Sequence, residues 1–233
     1  MAKVDLSKPI DVPTPTAVAE TVDEALPMAV AAPVTAGGQL EGEFSNKDVA
    51  VPYLRIAHAT SKGASDAPNM IGNFVIAEGT ILGKILTVTF LRISKHYQEK
   101  TEYGDTTMPK RWNRIVDAQN SGCDFEEHGV LDMLIEVPAD RTAELEDLVY
   151  ATVDGKDFMA ARLDVKTRGY RNTVGVLLRD KDAWLKGFFK NGKYTLSVDK
   201  RTDGKNTWFV PTIKACGPTS TELREEISTR FGL

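Results

Sequence analysis

Alternation of apolar and polar positions dominates the chain. In "GKYTLSVDKRTDGKNTWFVPTIKA" (192–215), Tyr194, Leu196 and Val198 alternate with polar residues, Asp203-Gly204 is a hairpin signal, and a second strand over 206–214 carries Trp208 and Phe209 side by side. Neighbours on a strand point to opposite faces, so these two rings cannot both enter one core. "GNFVIA" (72–77), "GKILTVTFLRIS" (83–94), "VLDMLIEV" (130–137), "LVYATV" (148–153) and "FMAARLDVK" (158–166) read as further strands. Within 83–94, alternation assigns Ile85, Thr87, Thr89 and Leu91 to one face and Leu86, Val88, Phe90 and Arg92 to the other.

Helical periodicity is confined to two places. In "TRGYRNTVGVLLRDKDAWL" (167–185), Val174, Leu177 and Leu178 recur at the spacing of a short helix. "TSTELREEISTRFGL" predicts a closing helix over 219–231, capped by Thr219 or Ser220, with Glu222 in its first turn and Leu223, Ile227 and Phe231 on one stripe. Many strands, few helices and no regular strand–helix alternation predict a mainly β fold: an OB-like, partly open β-barrel with inserted helical segments and a C-terminal helix, a β-sandwich being the alternative. Residues 1–47 hold five prolines and are expected to form a flexible, acidic, Pro/Ala-rich tail, leaving 48–233 as a single domain.

Net charge over the 233 residues is −4, which alone argues against a polyanion partner. Its distribution changes that picture. Residues 115–155 hold eleven acids against Arg141, whereas residues 156–214 hold fourteen Lys/Arg against six Asp. Partners respond to such local potential, because salt screens fields beyond about 10 Å. No stretch has the roughly 20 apolar residues of a membrane helix, and the N-terminus lacks a signal peptide's apolar core, so a cytoplasmic location is expected.

Motifs for common catalysis are missing. Lys84, Lys156, Lys193 and Lys205 each follow a glycine, but none completes a phosphate-binding P-loop. Cys123 and Cys216 supply no zinc pair, and His58, His96 and His128 are scattered, so no metal or cofactor is expected. The one enzymatic pattern is Asp164-x-Lys166 in "RLDVKT". Its two side chains share a strand face as a Mg²⁺-dependent nuclease requires, with Asp154 or Asp157 as the second carboxylate.

Single-stranded nucleic acid asks for cations along a groove and flat rings on which bases stack. "RISKHYQEKTEYGDTTMPKRWNR" (92–114) interleaves Arg92, Lys95, Lys110 and Arg111 with Tyr97, Tyr103 and Trp112, in what reads as a long loop or irregular hairpin. "KTRGYRNT" (166–173) adds Arg168, Tyr170 and Arg171, and the hairpin adds Lys200, Arg201, Lys205 and Trp208. The expected phosphate contacts are Arg92, Lys95, Lys110, Arg111, Arg168, Arg171, Lys200 and Arg201; the expected stacking platforms are Tyr97, Trp112, Tyr170 and Trp208.

From "VPYLRIAHATSKGASDAPNMIGNFVIAEGTILGKILTVTFLRISKHYQE" to "GFFKNGKYTLSVDKRTDGKNTWFVPTIKACG" and the short helix after it, the chain resembles a group of tailed-bacteriophage proteins over about residues 51–231. The shared features are a P-x-L-x-I start, a G-x-F entry to a β-rich run ending in a basic-aromatic segment, and a closing hairpin. The resemblance implies an OB-fold and a non-enzymatic role in phage DNA replication and recombination, binding single-stranded DNA without reading its sequence. Phage proteins of that function carry a long acidic tail at the C-terminus. Here the acidic segment is N-terminal: either it serves the same purpose from the other end, contacting replication proteins, or such recruitment is absent. A self-associating phage assembly protein is the remaining alternative.

Overall fold

The computed structural model describes residues 51–233 apart from 62, 63, 66, 77, 78, 102–106 and 205. The expected N-terminal tail therefore lies outside the described residues, as do Tyr103 and Lys205. The strands are β1 (Tyr53–Ile56), β2 (Phe74–Ile76), β3 (Thr80–Gly83), β4 (Ile85–Glu99), β5 (Arg111–Trp112), β6 (Phe125–Glu136), β7 (Val149–Val153), β8 (Lys156–Lys166), β9 (Gly192–Asp203) and β10 (Asn206–Pro218). The helices are α1 (Ile115–Asn120), α2 (Thr167–Asn172), α3 (Val174–Ala183) and α4 (Thr221–Phe231).

All ten strands join one sheet in the order β10-β9-β4-β6-β8-β1-β2-β3, with β5 also on β4 and β7 also on β8. The ladders are antiparallel except where β1 runs parallel to β8, Tyr53 opposite Arg162 and Leu54 opposite Leu163. The sheet curls strongly into an open half-barrel, the OB-like architecture that the strand pattern predicts. Bulges break register in β4 and β10, and a bulge bends and twists its strand.

The inner face carries the main core. Leu86, Val88 and Phe90 of β4 meet Leu131, Met133 and Ile135 of β6, Met159, Ala161 and Leu163 of β8, and Tyr194 and Leu196 of β9. Leu177 of α3 and Leu185 plug this core. Tyr194 is buried, packs edge-on against Phe90, and its hydroxyl donates to Asp180 Oδ2 at 2.9 Å. Gly129 of β6 is where the helices come closest: a Cβ there would lie 2.7 Å from Val174 Cγ2 and 3.0 Å from the Tyr170 ring. On the outer face, Leu223 and Ile227 of α4 cover Leu134 and Phe158. Ser220 caps that helix by accepting from Leu223 N–H at 3.3 Å.

One sequence expectation changes and another is extended. In β4, Phe90 pairs with Met133 and Arg92 with Asp132, so Leu91 is an inserted residue and Arg92 leaves the face of Phe90 for the outer one. The short helix read from Val174, Leu177 and Leu178 is α3, and a second helix, α2, precedes it, the two meeting at Thr173, whose hydroxyl donates to Gly169 C=O at 2.7 Å.

Candidate nucleic-acid interface

A groove of about 720 Å³ runs along the seam where the curled sheet fails to close. Its origin is local. β1 leaves β8 after Leu163, so Asp164, Val165 and Lys166 have β6 on one side and the groove on the other. The opposite wall is β10, and the start of α2 spans the gap.

Four rings line it: Tyr53 from β1, His58 just beyond it, and Trp208 and Phe209 from β10. Tyr53 is 58% exposed. Trp208 and Phe209 do part company as strand neighbours must, and both are half-buried. Phe209 lies against Gly72 and tilts towards His58, ring centroids 5.7 Å apart. Trp208 lies beneath Arg168, whose guanidinium carbon is 5.6 Å from the ring centre. Burial lowers the pKa of His58 below the ordinary histidine value.

Cations reach this groove from three elements: Arg55, Lys166 and Arg168. Lys166 is held by Glu126 at 2.6 Å. Among the described residues, Arg55 and Arg168 form no ion pair, which leaves them ready for a phosphate. The junction that places Arg168 is strained. Thr167, a β-branched residue, sits at φ +50°, a conformation costing on the order of 1–3 kcal/mol. Thr167 and Arg168 also line a second depression of about 420 Å³ with Glu127, Tyr170 and Arg171. Four expected contacts, Arg168, Tyr170, Arg171 and Trp208, thus fall along one continuous path.

The remaining expected contacts divide. Lys200 and Arg201 are exposed on the β9–β10 hairpin that carries Trp208, and Arg201 is paired with Asp199 at 3.0 Å. Lys110 and Arg111 are exposed beside the end of β4, where Arg111 Nε donates to Gln98 Oε1 at 2.9 Å. Trp112 of β5 is half-buried opposite Tyr97. Lys95 pairs with Glu127 and lies over both Tyr97 and Tyr170; that hydrogen bond holds its ammonium protonated above the ordinary lysine range. Tyr97 itself is only 8% exposed and meets Phe125 edge-on, so it is a packing residue and not an open platform. Arg92 is turned to the outer face, donating to Asp132 Oδ2 at 2.9 Å, while Arg162 Nε donates to Asp132 Oδ1 at 2.7 Å. A cation so engaged must break a contact before gaining one.

Asp164 and Lys166 do share the outer face of β8, as Asp-x-Lys spacing demands. The carboxylates expected to complete a nuclease site do not join them. Asp157 is hydrogen-bonded to Thr152 in the β7–β8 hairpin, about 23 Å away at 3.3 Å per residue. Asp164 instead meets His128, and His96 stacks on His128. This outer-face group of His96, His128 and Asp164 has the donor atoms to hold a metal ion.

Sequence reasoning missed Tyr53, Arg55 and His58, which carry no local motif and reach the groove only through the parallel β1–β8 pairing. No helix among the described residues is long and apolar enough to cross a membrane. No family model, curated protein or solved structure matches this chain.

Proposed function

We propose that this protein binds single-stranded DNA along the seam groove, without reading its sequence. The observation that carries this reading is the juxtaposition there of the exposed Tyr53 ring and the half-buried Trp208 ring with the guanidiniums of Arg55 and Arg168, which form no ion pair among the described residues. Bases stack on any flat ring, worth about 1–3 kcal/mol per base, while cations follow the backbone. Partly open barrels of this type serve that role elsewhere, and the bacteriophage resemblance agrees with it. The role in this reading is non-enzymatic and belongs to phage DNA replication and recombination in the host cytoplasm, the acidic N-terminal segment being the site offered to replication proteins.

The wider surface fits a binder of modest strength. Residues 50–233 carry 26 basic and 25 acidic side chains, so attraction must come from the groove and its borders and not from bulk charge. Titration with an oligo-dT strand and with the matching duplex, at two salt concentrations, tests the reading. Quenching of tryptophan fluorescence, preference for the single strand and a steep loss of affinity with salt are expected. Absent or salt-insensitive binding would overturn it.

A further inference from the structure

Strand pairing brings three potential ligands together on the outer face. His96 of β4 is directly opposite His128 of β6, and Asp164 of β8 reaches the same spot. The two imidazoles stack with centroids 4.9 Å apart. His128 is only 6% exposed, with a carboxylate beside each ring nitrogen: Nδ1 is hydrogen-bonded to Asp164 Oδ1 at 2.8 Å, whereas Nε2 lies 3.4 Å from Glu126 Oε1 without forming a hydrogen bond. A neutral imidazole has one N–H and can satisfy only one of them. The other nitrogen is left with a lone pair beside an anionic oxygen, an arrangement that a cation shared by the imidazole and the carboxylate would relieve once the two move apart.

His96 adds a second donor. Its Nε2 is buried without a hydrogen-bond partner, and donor atoms of His96, His128 and Asp164 all lie within 4.8 Å of one another. We propose that His96, His128 and Asp164 bind a divalent transition-metal ion of the zinc type, with Glu126 accepting from Nε2–H of His128. Two imidazoles favour such an ion over Mg²⁺ or Ca²⁺, which prefer oxygen. A metal-bound histidine commonly gives its other N–H to a carboxylate, and that is the place Glu126 occupies, itself steadied by Lys166 at 2.6 Å. Rotation of His96 and Asp164 would close the longest of these gaps and open the His128–Asp164 contact to the roughly 3.3 Å between donors on one tetrahedral ion. Three protein ligands leave the fourth position open, next to a strand segment that also lines the groove. Nothing in this site depends on nucleic acid, so the two proposals stand or fall separately.

The full chain, stripped with chelator, is titrated with Zn²⁺ by calorimetry and with Co²⁺ by visible absorption. One ion per chain is expected, with a cobalt spectrum of tetrahedral type. His96→Gln and Asp164→Asn, both at partly exposed positions, should each weaken binding at least tenfold, and Glu126→Gln tenfold to a hundredfold, with melting temperatures confirming that each variant folds. His58→Gln, outside the cluster, should leave metal affinity unchanged. Nitrogen-detected NMR of the His128 ring gives a second readout: Zn²⁺ should leave Nε2 protonated and Nδ1 coordinated. A ring protonated on both nitrogens and indifferent to Zn²⁺ would show that a proton alone sits between Asp164 and Glu126, and would overturn the proposal. So would stoichiometric binding that survives both ligand substitutions.

Discussion

The Arg168 guanidinium lies 5.6 Å from the centre of the Trp208 ring, joining the first turn of α2 to the return strand of the closing hairpin. The pair unites both needs of a single-strand binder at one point, since the ring offers a face and the cation offers charge. Arg168→Ala should lower the slope of log affinity against log salt by about 0.7, the contribution of one phosphate contact on a single strand. Trp208→Ala should cost about 1–3 kcal/mol of binding and leave that slope unchanged, as fluorescence anisotropy of a labelled strand would reveal.

Arg92 provides the contrast. Its guanidinium and that of Arg162 are bound to the nearly buried Asp132, so Arg92→Ala should leave the salt slope as it is. Asp132→Ala should do the opposite kind of damage, leaving two guanidiniums facing each other. Breaking a fully buried pair costs about 3–5 kcal/mol, and because Arg92 is partly exposed the loss seen in urea unfolding should fall below that range.

At Gly129 there is no room for a methyl group. Gly129→Ala would push a Cβ into Val174 and Tyr170, and overpacking of this kind costs about 1–3 kcal/mol. Because α2 carries Arg168, the same substitution should also weaken DNA binding. Chemical denaturation and strand titration on one sample would separate the two effects.

Stability should fall in mild acid through His58. Burial depresses its pKa in the folded protein, so between that value and 6.5 the unfolded chain binds more protons than the folded one. This contribution is complete above pH 6.5 and is lost as the pH drops towards the folded pKa. His58→Gln should flatten that part of the profile, measured as urea midpoints from pH 7.5 to 5.

Period-two alternation made the strands legible, and the stripe Leu223, Ile227, Phe231 made α4 legible, because both patterns are local. The inserted Leu91 was hidden for the same reason: alternation reads straight through a bulge, and only pairing with β6 reveals that Arg92 has changed sides. Trp208, Tyr170, Arg168 and Arg171 were readable as a ring-and-cation set. Tyr97 looked identical in sequence, flanked by charge, yet Lys95 and Phe125 close over it. His96 and His128 looked scattered because their meeting depends on the register of two long strands.

The parallel contact of β1 with β8 sets an order of events as the chain is made. Tyr53 and Leu54 emerge early, but their partners Arg162 and Leu163 do not exist until two long strands and a hairpin have followed. Closing so wide a loop is entropically slow, so β1, which can pair with β2 at once, must wait for β8 before it joins the rest of the sheet. One bank of the groove is therefore synthesised first and docked late, and in a nascent chain halted before residue 156 the β1–β2 pair has no β8 edge to join.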